Sequence, residues 1–527
     1  MKDRVSLTDF LMYHKETHPI SFHMPGHKGR STLYGIYGFG DFVKNVVGND
    51  ITEIPGADAL QQPRERIKDI MEGYAGLYGA KHTELLVNGS SAGLMASILG
   101  SVPRGGKLLM GRNSHKSVYG ALRLGGIDPV YIMPEIDGET GLQLGLDPDK
   151  IEAALIEDGD IKAVLVTSPN YYGVLSDIER IASIVHLHGR ILIVDQAHGA
   201  HLKFFDYLRS EDGLPHRAAE NCGADIVVDS THKTLLSFTG SAILNICTER
   251  PDVSRISELL RMLQTTSPSY LLMGSLDINQ QILRMDGYNL IKNWDADIKY
   301  FYEEAAQIAG LGLIDRIDLD ETKVSITMSA LGLSGPELAE ELEKRNIWVE
   351  LMHGDYVMLM TGLGNERGDY EDVLSALRDL SAHHGGRIQG VEPESSASKT
   401  ESAAQEAVQK QAKNEAQAAN KNASQPVDKI TELRTPSSDS ALIERLEQRR
   451  IPDTYEEIPL YSAEGRVLYE SIIPYPPGTP IACPGEVLSK SVILYVRDQL
   501  VAQHVVLGVD EEGRVKVESD CVLFKEI

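Results

Sequence analysis

Lys233 stands in the run Ser230-Thr231-His232-Lys233-Thr234, directly after Ala224-Asp225-Ile226-Val227-Val228-Asp229. The apolar stretch reads as a buried strand entering a polar turn. That puts the lysine at the carboxyl end of a strand, where open α/β sheets hold their ligands. A lysine is ordinarily a solvated surface cation. This one has Ser, Thr and His as neighbours instead of other charges, and upstream segments supply further partners. A lysine amine so placed can form a Schiff base with a carbonyl compound, pyridoxal phosphate (PLP) included. Lys233 is therefore read as the PLP lysine.

Asp195 closes the apolar run Ile191–Val194. A carboxylate facing a pyridine nitrogen keeps the ring protonated and hence an electron sink. At ~4 Å and an effective dielectric near 20, such a pair is worth roughly 4 kcal/mol before desolvation. By type alone, an aspartate at a strand end is as readily a cap or turn former. Ala197 points the same way as Asp195 and leaves room for a flat ring, with His198 and His201 beyond it. Asn88-Gly89-Ser90-Ser91-Ala92-Gly93 lies between a strand and the apolar helix 94–99. Backbone N–H groups at a helix start, joined by two hydroxyls, suit a phosphate, although a serine-rich cap without any ligand looks the same. The segment lacks the GKS or GKT ending of a P-loop.

His115, beyond the strand Lys107–Met110, is a candidate to stack on the ring. His232, with Ser230 in the same turn, is a candidate phosphate donor. Each histidine also reads as an ordinary structural residue. Asp195, His198 and His201 could be taken for a ligand set, but no partner at H-E-x-x-H spacing completes it, and no metal is expected.

These residues need a scaffold that brings strand ends together. Strands are expected at Glu84–Val87, Lys107–Met110, Val130–Met133, Ala163–Val166, Ile191–Val194, Ile226–Val228 and Ala242–Ile246, alternating with helical stretches. That alternation implies a mostly parallel sheet with helices on both faces. The tips are polar, and five polar tips along one edge make a site. Five units follow in order: an N-terminal segment with active-site loops, 1–61; a large cofactor-binding domain, 62–280; a small α+β domain, 281–384; a low-complexity linker, 385–440; and a C-terminal α+β domain, 441–527. The linker has almost no large apolar residues and so cannot offset its ordering entropy.

At 527 residues the chain needs several cores. Its formal charge of −26 argues against non-specific nucleic-acid binding, which needs a basic face. It is compatible with a cationic substrate, and equally with solubility alone. Cys222, Cys247, Cys483 and Cys521 are scattered, which suits a reducing compartment and neither a disulfide framework nor a zinc site. No signal peptide and no run of about 18 apolar residues is present. A soluble cytoplasmic protein with no membrane or nucleic-acid partner is expected.

Phe22-His23-Met24-Pro25-Gly26-His27-Lys28-Gly29, Asp195-Gln196-Ala197-His198-Gly199-Ala200-His201 and Ser230-Thr231-His232-Lys233 together resemble the bacterial-type ornithine/lysine/arginine decarboxylases. The likeness extends through Asn113–Ser117, Thr266-Ser267-Pro268-Ser269-Tyr270, Pro474–Gly478 and Pro484-Gly485-Glu486, and covers the chain except its linker. It implies the PLP-dependent aspartate-aminotransferase fold (fold type I), in the short form that lacks an N-terminal wing domain.

It further implies that Lys233 holds PLP as a Schiff base, Asp195 pairs with the ring nitrogen and His115 stacks on the ring. Ala197 would line the ring's opposite face. Ser90, Ser91 and His232 would hold the phosphate. Thr266 and Ser267 would reach the phosphate of a neighbouring subunit in a homodimer or higher homo-oligomer. Lys233 or His198 would return a proton to the α-carbon. The implied reaction is decarboxylation of a basic amino acid, with arginine to agmatine first and lysine or ornithine next. An aminotransferase or lyase on the same fold and an inactive regulatory paralogue are the rivals. For the distal cation the candidate carboxylates are Glu53, Glu350, Asp355 and Glu486, any of which could equally be solvated.

Overall fold

The computed structural model describes residues 6–388, 446–452, 454–475, 479–501 and 505–519. All seven expected strands form, their ends within two residues of expectation: β1 His82–Leu86, β2 Lys107–Gly111, β3 Asp128–Ile132, β4 Ile161–Thr167, β5 Ile191–Asp195, β6 Ile226–Asp229 and β7 Ala242–Ile246. They make one sheet in the order β1-β7-β6-β5-β4-β2-β3. Every pairing is parallel except those of β7, which runs antiparallel to β1 and β6.

The sheet is covered on both faces, so its central strands β5 and β6 read as continuous apolar runs without polar alternation. Within β5, Ile193 packs on one layer with Leu94, Val118 and Ile256. Leu192 and Val194 pack on the other with Ile151, Ile181 and Val185. Gly93, in the helix Gly89–Ser101, sits so close to the sheet that a Cβ would lie 2.6 Å from Leu86 and 3.0 Å from Val228. That contact seats the helix start over the strand ends.

The helix Tyr270–Ala305 runs 36 residues from its cap at Ser269. The boundary expected at 280/281 therefore falls inside one continuous helix. Beyond it, Leu351–His353, Tyr356–Met360, Lys323–Thr327 and Gly312–Leu313 form an antiparallel sheet. The strands Ile347–Val349 and Leu351–His353 are separated by Glu350. Ile347–Val349 pairs in parallel with Ile20–Phe22, which ties the N-terminal segment to this unit. The N-terminal segment begins with the helix Leu7–Glu16, opened by a capping box of Ser6 and Asp9. Leu7, Phe10, Leu11 and Tyr13 on it are exposed.

The C-terminal unit consists of two antiparallel ribbons, Tyr455–Pro459 with Arg514–Glu518 and Ile473–Tyr475 with Val505–Leu507, and the helix Lys490–Val501. They enclose a core that includes Leu468, Ile472, Val492 and Val515. Of the expected linker only 385–388 are described, where they end the helix Arg367–Ile388. The remainder of the linker, the turn at Pro476-Pro477-Gly478 and Cys521 lie outside the described residues. Among the described residues no helix is long and apolar enough to cross a membrane.

Candidate active site

The carboxyl ends of β2, β4, β5 and β6 open into a cavity of about 840 Å³, walled also by the N-terminal loop, the small sheet and the C-terminal unit. Lys233 reaches it from the short helix Thr231–Thr234 that follows β6. The turn is held from outside by the His23–Gly29 loop. Gly26 N–H donates to the His232 carbonyl at 2.7 Å, and a Cβ on Gly26 would lie 2.4 Å from the backbone of Thr234 and Leu235. No residue but glycine fits there without moving the turn.

The Lys233 amine lies 2.9 Å from His198 Nε2. Burial lowers its pKa to about 8, aided by the nearby Lys323 and opposed by the charges of Asp195 and Glu350. Asp195 is buried and its pKa is raised by that burial, opposed by Lys233 and by the Ala197 N–H that donates to it at 3.2 Å. Burial and the Lys233 charge hold His198 well below the usual histidine range, so its ring is neutral. The edge of the Tyr171 ring packs against it at 4.8 Å between centroids.

His115 caps the helix Lys116–Gly125 by accepting from Ser117 N–H, and burial followed by the Lys233 charge lowers its pKa to about 4. His232, likewise lowered to about 4 mainly by burial, has Nδ1 2.7 Å from the Ser241 carbonyl. Behind the site a buried layer fixes the floor. His201 contacts Thr234 Oγ1 at 3.2 Å and Asp320 at 3.1 Å. Lys323 donates to Asp320 at 2.9 Å and to the His198 carbonyl at 3.1 Å. His201 thus turns away from Asp195, and the ligand set considered for a metal does not converge.

The structure brings Lys233, Asp195, Ala197, His198, His115, Ser90, Ser91, Ser230, His232, Glu350 and Asp355 to this one cavity. The other expected residues do not line it. Glu486 does not line the cavity and is buried in an ion pair with Arg112. Glu53 is exposed on the 50–58 loop and does not line the cavity. Ala92 is buried in its helix and does not line the cavity. Thr266 and Ser267 are exposed on the loop before the long helix and lie outside this chain's own cavity.

Glu350 is pinned within the cavity wall. Its Oε2 accepts from Met24 N–H at 2.9 Å and its Oε1 from the Tyr171 hydroxyl at 3.1 Å. Asp355 is exposed at the mouth. Sequence reasoning missed Thr167, Asn113, Gln143 and Tyr171, which also line the cavity. Thr167 and Asn113 sit on strand tips whose polarity was visible, whereas nothing local marks Gln143 or Tyr171.

The cavity fits PLP on its own evidence. Ser230 Oγ, Thr167 Oγ1 and His198 Nδ1 are buried on its wall with no hydrogen-bond partner, and buried polar atoms are rarely left so. The phosphate end has the helix start Gly89–Ser91, where the exposed N–H groups favour an anion. Asp195 and Lys233 provide the carboxylate and amine that such a cofactor needs.

Two family models match the chain: Orn/Lys/Arg decarboxylase, major domain, over residues 5–311, and Orn/Lys/Arg decarboxylase, C-terminal domain, over residues 439–508. Among curated proteins, an arginine decarboxylase of Bacillus anthracis is 30% identical over 519 residues, which is 95% of this chain and 94% of that one. An arginine decarboxylase of Bacillus cereus is 31% identical over 487 residues, 90% of this chain and 95% of that one. Among solved structures, the Escherichia coli constitutive lysine decarboxylase superposes with a TM-score of 0.67 at 20% identity, over 93% of this chain and 77% of that one. The fold is that of the PLP-dependent fold type I enzymes. The chain belongs to the Orn/Lys/Arg decarboxylase family and is an amino-acid decarboxylase.

Proposed function

We propose that the chain binds PLP at Lys233 and decarboxylates L-arginine to agmatine and CO2. The observation that carries the reading is a buried amine of lowered pKa, 2.9 Å from a neutral histidine, in a cavity shared with Asp195 and unpartnered hydroxyls. Bound PLP supplies an electron sink for the pair left on the α-carbon as CO2 departs.

The residues of the chain do the rest. Ser90, Ser91, Ser230 and His232 hold the phosphate, and Asp195 supplies the negative charge for the ring nitrogen. His115 and Ala197 bound the ring's two faces. The Lys233 amine is neutral in a substantial fraction near neutral pH and can act as a nucleophile. His198 Nε2 accepts or returns its proton, so a proton is held at Nζ of Lys233 or Nε2 of His198 for delivery to the α-carbon.

Arginine is favoured over lysine and ornithine by two observations. Curated relatives bearing that name match nearly the whole chain. Both Glu350 oxygens are fixed by protein donors, an orientation suited to a planar, two-pronged guanidinium. Among the described residues lining the cavity there is no arginine to clamp an α-carboxylate in aminotransferase fashion. We place the enzyme in the cytoplasm as a homodimer in which Thr266 and Ser267 of one copy reach the phosphate site of the other.

The test is to incubate the purified chain with PLP and, separately, arginine, lysine and ornithine, and to identify the amine. Agmatine formed fastest is expected. Cadaverine or putrescine formed faster would overturn the substrate, and keto-acid formation without CO2 would overturn the reaction. Lys233→Ala should abolish CO2 release and the imine absorbance band.

A further inference from the structure

Glu486 leaves the substrate pocket but does not become idle. It forms a two-pronged pair with Arg112, Nε to Oε1 at 3.0 Å and a terminal nitrogen to Oε2 at 2.8 Å. Arg112 is 1% exposed and Glu486 2%. The rest of the guanidinium is equally committed. It donates to the Pro480 carbonyl at 2.8 Å, the Ile481 carbonyl at 3.3 Å and the Tyr119 hydroxyl at 3.1 Å. A guanidinium has five N–H donors, and every one has an acceptor. The Cys483 N–H donates to Glu486 Oε2 at 2.7 Å, which fixes the carboxylate from its own side.

Three elements meet on this one cation. Arg112 directly follows β2, and its backbone N–H donates to the Ile132 carbonyl of β3. Its own carbonyl accepts from the Tyr119 hydroxyl at 2.5 Å, on the helix that His115 caps. Pro480, Ile481 and Glu486 belong to the C-terminal unit. The next residue, Asn113, and then His115 line the cavity from one side, and Thr479 and Ile481 line it from the other.

The geometry points to Arg112 as a positioning residue. Docking of the C-terminal unit through the Arg112–Glu486 pair holds the Asn113–His115 turn, and hence His115, in place on the cofactor site. Removing one partner strands a buried charge, so a change on either side of the interface reaches His115 through the same side chain. The inference rests on the proposed role of His115, but one arm of its test does not.

The test uses the full chain, with and without PLP, as Arg112→Lys and as Glu486→Gln. Lysine keeps the charge but has only three donors and no fork. Glutamine keeps the shape but removes the charge and turns an amide NH2 toward the N–H donors of Arg112 and Cys483, so it should give the same effects more strongly; the charge-conserving Arg112→Lys covers its failure to fold. In the cofactor-free chain, amide hydrogen exchange in segments 111–119 and 479–488 should rise together, by about tenfold or more. In the PLP complex the visible circular dichroism of the cofactor should fall, and kcat/KM should drop on the order of tenfold to a hundredfold, as expected for a displaced active-site group.

Val515→Ala, in the C-terminal core, is the control. It should lower Tm without moving the cofactor band. Faster exchange confined to 479–488, with 111–119 and the band unchanged, would overturn the proposal. So would a band shifted equally by Val515→Ala. If the wild-type chain takes up no PLP, the site reading fails, and the paired exchange response still decides the coupling.

Discussion

The Asp195→Asn substitution tests the electrostatics of the site where they matter most, at the Lys233 amine. Burial brings this amine from the usual lysine value of 10.5 to about 8, against the opposing pull of Asp195 and Glu350. At 1.36 kcal/mol per pKa unit the difference is roughly 3 kcal/mol in favour of the neutral form. At pH 7.5 about a quarter of the amines are then uncharged, against roughly one in a thousand at the ordinary value, a gain of about two orders of magnitude in nucleophile. Asn removes the charge that most opposes deprotonation, so the variant's amine should titrate below that of the wild type.

The assay is the pH dependence, from 6 to 11, of the rate at which the cofactor-free chain captures PLP as an imine. The wild-type rate should climb with its inflection near pH 8, and Asp195→Asn should have its inflection at lower pH. The position of the inflection is read independently of any loss in cofactor affinity. Stability should follow the same titration. Between pH 8 and 10.5 the unfolded chain holds the extra proton, so stability rises with pH there, and below 8 the full cost of charging the amine is present. An inflection near 10 in the wild type, or one that moves upward in the variant, would refute the reasoning.

Glu350→Gln removes the charge proposed to face a distal cation. It should raise KM for arginine by about tenfold to a hundredfold, from a charged hydrogen-bond contribution of roughly 1.5–3 kcal/mol, as read by steady-state kinetics. Ser230→Ala deletes an unpartnered hydroxyl on the cavity wall and should weaken PLP binding about tenfold in a fluorescence titration, with little change in Tm. Asp320→Asn leaves the fully buried Lys323 ammonium without its carboxylate and should cost about 3–5 kcal/mol in urea unfolding.

The central β-strands of the large sheet were legible because both faces are covered, so β5 and β6 are uninterrupted apolar runs that end in polar tips. The same logic found Lys233, Asp195 and His115, which are fixed by the strands they end or follow. It did not separate the carboxylates that line the cavity, Glu350 and Asp355, from those that do not, Glu53 and Glu486. Glu53, Glu350, Asp355 and Glu486 are alike by type, and their fates depend on contacts distant in the chain. Glu350 is set by Met24, 326 residues away, and Glu486 by Arg112, 374 residues away. The strand around Glu350 also divided in two. The sequence there is continuously strand-like, but the first half pairs with Ile20–Phe22 and the second with Tyr356–Met360. Tyr171 gave no signal at all, because its role exists only once Glu350 and His198 are brought beside it.

The charges around the cavity explain both halves of the proposed turnover. Lys323 is balanced by Asp320 and sits behind the site. Glu350 acts on the amines of both Lys233 and Lys28, joined by Asp195 at the first and Asp369 at the second, and burial leaves Lys28 at about 7 and Lys233 at about 8. A site of this kind is poor at holding two extra cations and better at holding a cation together with anions. A basic amino acid enters with a carboxylate beside its distal cation. When CO2 leaves and a proton takes its place on carbon, the anion is gone and an amine with two cationic ends remains near the buried lysines. The burial that makes Lys233 a nucleophile thus also weakens the hold on the product, so substitutions that stabilise the charged amine should slow the start and the end of the cycle together.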